Sequence, residues 1–435
     1  MERAETVGRG GDAYARYVLF ILFLGYVVNS IDRSILNILL APIQQEFTLS
    51  DTALGLLGGI AFALFYSTLG LPIAALADRT SRKWVLSVAI CLWSGMTALC
   101  GLAASFPQLL AARVGTAIGE AGGSPPSHSL IADYFPLAKR GTALSLYALG
   151  VPIGGMIGLF IGGWGNELWG WRTAFVVAGL PGILIAALVA FTVREPVRGF
   201  SDGAAAAAAA AALPPAPGPV AVLRILWCRA AFRNMALAAA LHAFVWYGAG
   251  NFNSVFLIRS HGMSTGEAGS WLALLAGFGA AGTFLGGFLC DRLAKARKDD
   301  RWYMWVPGIA TVLGVPFQIG AYLLPDMGGV LFCFGVTAFL ASFFFGPSFA
   351  MAQALAGVRM RAVAASVLLF IQTMIGLGLG PLIAGMLSDA LKPALGIEAL
   401  RYALILVGLV NLWSGIHYVL AARTVRSDID RARHG

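Results

Sequence analysis

Asp32 and Arg33 stand side by side within an apolar run extending from about Tyr17 to Leu40. At about 1.5 Å per helical residue, that run crosses a hydrocarbon core of about 30 Å. A charged side chain at such depth costs at least about 2.5–3.5 kcal/mol, so it normally faces a bundle interior or a wet cavity and marks a functional position. The plainer alternative is an internal ion pair that only fixes helix packing. A second set of charges, Arg113 and Glu120, lies seven residues apart in another apolar run. Seven residues are close to two turns, so both fall on one helix face. Arg113 is about two turns from the outer end of its span and Glu120 near the middle.

The chemistry these types offer is proton exchange and anion binding. Burial and a neighbouring guanidinium pull a carboxyl's proton affinity in opposite directions. A carboxylate that changes partners between conformations therefore binds and releases a proton. Glu120 is the first choice for proton coupling, because Gly119, Gly122 and Gly123 leave space around it, and Asp32 is the second. Arg33 and Arg113 suit an anionic head group, since a guanidinium stays charged and forks onto carboxylate or phosphate. Asp32, Arg33, Arg113 and Glu120 together are the substrate-binding candidates; the competing reading is a static four-charge lock.

These residues must be positioned by membrane-spanning helices. Of 435 residues, 58% are hydrophobic and 12% charged, against about 45–50% and 25% in soluble domains. The apolar runs are about 20 residues long and do not alternate, which predicts helices and not barrel strands. Twelve spans are expected, near 16–40, 51–76, 84–104, 107–131, 141–163, 172–193, 232–256, 266–290, 303–324, 328–352, 359–386 and 399–422. Ser50 and Asp51 are N-cap candidates for the second. With the N-terminus inside, 24 of the 30 basic residues fall on the cytoplasmic side, the positive-inside pattern, which places both termini in the cytoplasm. The net charge of +9 thus reads as topology and implies no nucleic-acid partner. The five cysteines show no metal-type spacing, and neither a metal site nor a disulfide frame is expected. The N-terminal run is too long, and too charged at Asp32 and Arg33, for a cleavable signal.

The organisation expected is a cytoplasmic tail (1–15), an N-terminal six-helix bundle (16–193), a cytoplasmic linker (194–231), a C-terminal six-helix bundle (232–422) and a second tail (423–435). The linker holds an Ala tract running into Pro214, Pro215, Pro217 and Pro219, which end any helix there. The halves repeat: Asp78–Arg79 follows the second span and Asp291–Arg292 the eighth, and the openings of the fifth and eleventh spans echo one another. Offsets near half the chain length suggest two pseudo-symmetric bundles, as in parallel-repeat transporters.

The second half offers a different surface. Phe339, Phe343, Phe344, Phe345 and Phe349 crowd the tenth span, and Phe244, Trp246 and Tyr247 the seventh. His242, Trp246, Tyr247, Phe343, Gln353 and Gln372 are candidate cavity-lining residues for an apolar tail. The plainer reading is that the aromatics pack or face lipid and that His242 is a hydrogen-bonded helix contact. Asn251 and Asn253 are polar contacts or interhelical glue. Asp78, Arg79, Arg82, Asp291 and Arg292 read as cytoplasmic gate contacts or, equally, as topology alone.

The stretch from Ala74 through Asp78–Arg79 to Arg82–Lys83 resembles the loop motif of the major facilitator superfamily, with Gly287 to Arg292 as its second-half echo. Ala74 and Ser81 stand where that family prefers Gly. Gly150-Val-Pro152-Ile-Gly154-Gly155 is similar to its Gly/Pro motif, with the Pro displaced by one. Asn29-Ser-Ile-Asp32-Arg33, Arg113 to Ala121 and Ser124-Pro125-Pro126-Ser127 resemble the Spinster family more narrowly. The resemblance implies an all-α membrane protein with the twelve-helix major facilitator fold, in which the first and fourth spans line a central cavity and bring the four charges together. It also implies transport of lipids such as sphingosine 1-phosphate or lysophospholipids, with proton coupling. The expectation is a secondary transporter moving an amphiphilic anionic lipid by alternating access, driven by a proton gradient and needing no cofactor. The alternative is a proton-coupled carrier of small organic anions or drugs. No nucleophile–base set, metal cluster or phosphate cradle supports an enzyme. A monomer in a bacterial inner membrane is expected, with few Lys among many Arg as the compositional hint.

Overall fold

The computed structural model describes residues 7–196, 219–356 and 360–434. The Ala- and Pro-rich tract of the expected linker, residues 203–218, lies outside them, as do residues 1–6 of the tail. Among the described residues every regular element is helical, which satisfies each backbone donor and acceptor where no water can. Among the described residues eight helical segments are long and apolar enough to cross a membrane. Two of these, Lys139–Thr192 with 54 residues and Val363–Ala432 with 70, are long enough for two crossings each. The expected fourth span is broken into two shorter helices, Phe106–Glu120 and Ser124–Tyr134.

The chain divides into two compact units: residues 1–39 with 64–214, and residues 40–63 with 215–435. The first holds α1 (Val7–Phe47) as far as residue 39, and α3 (Ile60–Arg79) from residue 64. It continues with α4 (Arg82–Cys100), α5 (Phe106–Glu120), α6 (Ser124–Tyr134), α7 (Leu137–Ala148) and α8 (Gly150–Thr192). Val18, Leu22, Ile90, Trp93, Ile131 and Val189 form its core. The turn between the expected fifth and sixth spans is a single kink inside α8, where Gly170 takes φ +82°, a conformation that favours glycine.

Lipid is as apolar as leucine, so helices in it are held by close packing more than by burial. Gly154, Gly158 and Gly162 form a stripe at four-residue spacing along α8. An added Cβ would stand 2.2 Å from the Val27 carbonyl oxygen at Gly154, 2.8 Å from that of Ile31 at Gly158 and 2.7 Å from Ile35 Cγ1 at Gly162. This stripe lets α8 seat directly on the turns of α1 that carry Asp32 and Arg33. Gly154→Val is expected to force the helices apart and cost about 1–3 kcal/mol, read as a lower thermal midpoint of the purified protein. An unchanged midpoint would show that the contact is not tight.

The second unit holds α2 (Asp51–Gly58), α9 (Pro219–Cys228), α10 (Ala230–His261), α11 (Thr265–Arg297), α12 (Trp302–Leu323) and α13 (Met327–Ala341). It ends with α14 (Phe345–Ala356), α15 (Arg361–Gln372), α16 (Gly380–Leu395) and α17 (Ala399–His434). Helix α9 lies in the stretch expected as linker; its proline stands at the first position, where no backbone donor is lost, and Val222 and Leu226 are buried in the unit's core. The tenth span is interrupted by a tighter turn at Ser342–Phe344, the eleventh by a wider one at Thr373–Leu379. A reciprocal capping box, Ser264 with Glu267, starts α11.

Candidate functional site

The four charges of the sequence reading all lie in the first unit. Arg33 Nε donates to Glu120 Oε2 at 2.5 Å, so α1 and α5 are joined by an ion pair. The two partners sit differently: the Glu120 side chain is 0% exposed and that of Arg33 37%. The guanidinium of Arg33 also stacks over the Tyr66 ring at 4.7 Å. Arg113 Nη1 reaches the backbone carbonyl oxygen of Asp32 at 3.5 Å. The Asp32 carboxylate is fully buried, and neither of its oxygens has a hydrogen-bond partner among the described residues. Adjacent helix positions point about 100° apart, so Asp32 and Arg33 serve different faces of α1: one turns into the bundle, the other out of it.

Helix breakage and glycine set this geometry. At the end of α5, Gly122 N–H and Gly123 N–H donate to the carbonyls of Gly119 and Glu120 at 3.0 Å each, tightening the turn. An added Cβ at Gly119 would fall 2.6 Å from the Trp93 backbone nitrogen. The space around Glu120 is therefore taken up by α4, whose Trp93 packs against this turn. Sequence reasoning did not single out Trp93 or Tyr66; a small-residue cluster opposite an aromatic is the signal that pointed to them.

Arg82, expected as a gate residue, is the centre of a network at one end of the same unit. It donates from Nε to Glu195 Oε1 at 2.8 Å, from Nη1 to Asp133 and to Ser129 Oγ, and from Nη2 to the Pro196 carbonyl at 2.9 Å. Burial alone would raise the Glu195 carboxyl. Hydrogen bonds from the Lys83 backbone N–H, Arg82 and Ser81 outweigh it and hold the group below its ordinary range. Asp78 and Arg79 are exposed. In the second unit, Asp291 and Arg292 are exposed too, and Asp291 accepts a hydrogen bond from the Tyr303 hydroxyl at 2.6 Å.

Among the expected cavity-lining residues, His242, Phe343 and Gln372 are buried, while Trp246, Tyr247 and Gln353 are exposed. His242 is a hydrogen-bonded helix contact. Its Nε2 lies 2.8 Å from the Ala341 carbonyl, at the start of the tighter turn, and its Nδ1 lies 2.9 Å from the Asn411 amide. A carbonyl only accepts, so Nε2 carries a proton. Asn253 is polar glue, accepting from Tyr322 at 2.8 Å.

A second charged cluster lies outside the expected set. Asp51, 1% exposed, accepts from both Nη atoms of Arg259 at 2.7 and 3.1 Å, from Ser388 Oγ at 2.6 Å and from Gln44 Nε2 at 2.8 Å. The N-cap of α2 is Ser50, whose hydroxyl accepts from Ala53 N–H at 3.1 Å. Asp51 itself does not cap; its own N–H and that of Thr52 donate to Asp389, the latter at 2.8 Å. Both oxygens of Asp51 are spent on Arg259, a residue 208 positions away, which no local pattern reveals. Arg259→Ala would leave Asp51 buried with neutral partners only. The expected loss is about 2–4 kcal/mol, toward the lower part of the range for a broken buried pair because Arg259 keeps some contact with solvent. It would appear as a lower thermal midpoint; Arg259→Ala melting with the parent would refute the assignment.

No group of three or more His, Cys, Asp or Glu suited to a metal ion occurs among the described residues. The comparisons with known proteins agree with the architecture. The Major Facilitator Superfamily description fits residues 22–381. The crystal structure of a bacterial homologue of the human lysosomal transporter Spinster, inward-facing and unoccupied, matches with TM-score 0.85 and 34% identity, covering 95% of this chain and 98% of that one. An MFS-type efflux pump of Mycolicibacterium smegmatis is 32% identical over 431 residues, 98% of this chain and 96% of its own. The sphingosine-1-phosphate transporter SPNS2 of Danio rerio is 33% identical over 186 residues, 42% of this chain and 36% of its own. With an all-helical architecture, buried charges on α1 and α5 and these likenesses, the chain is a Spinster-like member of the major facilitator superfamily, a multi-pass membrane transporter and not an enzyme.

Proposed function

We propose that this transporter moves an anionic amphiphile, a lysophospholipid or sphingolipid-like molecule, by alternating access and with proton coupling. The observation that carries the reading is the unequal Arg33–Glu120 pair. A guanidinium more than a third exposed presents a phosphate-binding fork, while the carboxylate behind it is wholly buried. A phosphate or carboxylate head group competes with Glu120 for Arg33. Released from its partner in a dry site, Glu120 takes up a proton, because an unpaired buried carboxylate is too costly to remain charged. Substrate and proton thus exchange one partner, which is the coupling. Asp32 is the second protonatable group, with Arg113 the second cation.

The lipid assignment draws support from the exposed aromatics Trp246, Tyr247 and Phe345 in the second unit, suited to an acyl chain, and from the name of the zebrafish relative. The loop residues Asp78, Arg79, Asp291 and Arg292 would act as gate contacts on the cytoplasmic side, where both termini lie in this reading. The test is flux in proteoliposomes with a fluorescent lysophospholipid under an imposed pH step, comparing the parent protein with Arg33→Ala. Proton-dependent lipid movement lost in the variant supports the reading. Movement of a small organic anion and not of the lipid under the same step would keep the coupling and replace the substrate.

A further inference from the structure

Beside Glu120, inside the first unit, lies a cavity of about 10 Å³, the space one water molecule needs. Its wall includes Gly25, Asn29, Trp93, Ser124, Ser127 and Tyr147 as well as Glu120. Two wall residues carry a buried polar atom with no hydrogen-bond partner among the described residues: Glu120 Oε1 and Trp93 Nε1. One is an acceptor and the other a donor, a pair that a bridging water satisfies at once. The Tyr147 hydroxyl lies against the hydroxyls of Ser124 and Ser127. Leu22 and Leu86 extend the wall along α1 and α4 toward the end of the unit that carries Arg82. Polar hydroxyls in a row, one water site and a buried carboxylate at the inner end are the parts of a proton conduit.

We infer that this cavity is a water-bearing passage through which protons reach Glu120 from the Arg82 end of the unit, without entering by the substrate-facing side of Arg33. The inference rests on the reading of Glu120 as the proton carrier. A proton arriving at the hydroxyl row displaces the one already there, so Tyr147, Ser127 and the water each end with the protons they began with. Glu120 gains one, changing from carboxylate to carboxylic acid as its bond to Arg33 is given up. The titratable and charged groups around Glu120 are Tyr26, Asp32 and Arg33 from α1, Arg113 from its own helix and Tyr147 from α7, whose ring stacks on that of Tyr26 at 4.5 Å, with Tyr66 of α3 behind Arg33. His128 meets the Tyr147 ring edge-on at 5.4 Å. Tyr147 is buried and lies against both serine hydroxyls, which makes it the relay group.

Gly25 supplies the plug. A Cβ added there meets Ile90 and Ile185 at 3.6 and 3.8 Å, ordinary contact distances, so Gly25→Ala fills space without forcing the helices apart. The experiment uses the full chain in lipid nanodiscs. A laser-released caged proton drops the pH, and the infrared band of the protonated carboxyl, assigned by its loss in Glu120→Gln, is followed in time. Gly25→Ala and Tyr147→Phe are expected to reach the parent's final amplitude while rising at least about tenfold more slowly, the loss of one relay step. Equal amplitude certifies that each variant is folded and that Glu120 titrates. Unchanged rise times in both overturn the passage while leaving Glu120 as the carrier. No Glu120 band in the parent at any pH overturns the carrier reading and the passage with it.

Discussion

Glu120→Gln is expected to abolish pH-driven flux while leaving counterflow exchange in place. The amide keeps the size of the carboxyl and still offers an oxygen to Arg33 Nε, so the 2.5 Å contact between α1 and α5 survives in outline. What it lacks is a second protonation state, so it has nothing to give to the gradient. Exchange requires only that loaded transporter reorient in both directions, with no net proton movement. The expected pattern in proteoliposomes is a drop of about 100-fold or more in uptake driven by a pH step, the scale that removal of a proton-transferring side chain reaches, with exchange near parental. Arg33→Ala should lose both, because it deletes the fork for the anion and strands a wholly buried carboxylate. Full pH-driven transport by Glu120→Gln would exclude Glu120 as the carrier and move the role to Asp32.

The second large effect is structural. Arg82→Ala should destabilise the protein by about 3–5 kcal/mol, the range for removing one partner of a buried ion pair. The Arg82 side chain is 2% exposed, and its fork reaches two carboxylates and two further oxygens on separate segments. The Asp133 side chain, only 10% exposed, would lose its contact with the guanidinium. Arg82→Lys should recover only part of the loss, since an ammonium is a single point of charge and cannot span Asp133 and Glu195 together. The network also predicts an acid limit. Glu195 titrates lower in the folded protein than its ordinary value near 4.3. Its contribution is therefore fully present above that value and is lost as pH falls through the lower folded one. Thermal midpoints of the parent should fall over that window, and those of Glu195→Gln should start lower and fall less. Identical acid profiles would remove Glu195 from the network.

The sequence by itself determined the class of this protein. Apolar runs of membrane-crossing length, basic residues gathered in alternate loops and a repeated Asp–Arg at the same place in each half leave a helical membrane protein of two similar halves as the consistent solution, because lipid forbids unsatisfied backbone; transport was implied by the resemblance of its motifs to the major facilitator superfamily. It also located Asp32, Arg33, Arg113 and Glu120, since an ionised group in such a run stands out against its surroundings. Helix periodicity put Arg113 and Glu120 on one face. What periodicity does not state is which partner each charge takes. Packing of α1 on the glycine stripe of α8, and of α5 on Trp93, turned Arg33 toward Glu120 and left the Asp32 carboxylate without a hydrogen bond among the described residues. The Asp51–Arg259 cluster was hidden for the same reason. Asp51 at a helix start reads locally as a cap, and only contact with a residue 208 positions on makes it half of an ion pair. For His242 the sequence offered cavity lining or a helix contact, and only the position of the Ala341 carbonyl and the Asn411 side chain decided for the contact. Local pattern fixes where a charge can be tolerated; the direction in which it points depends on the shape of the helix packed beside it, and that is a property of the tertiary structure alone.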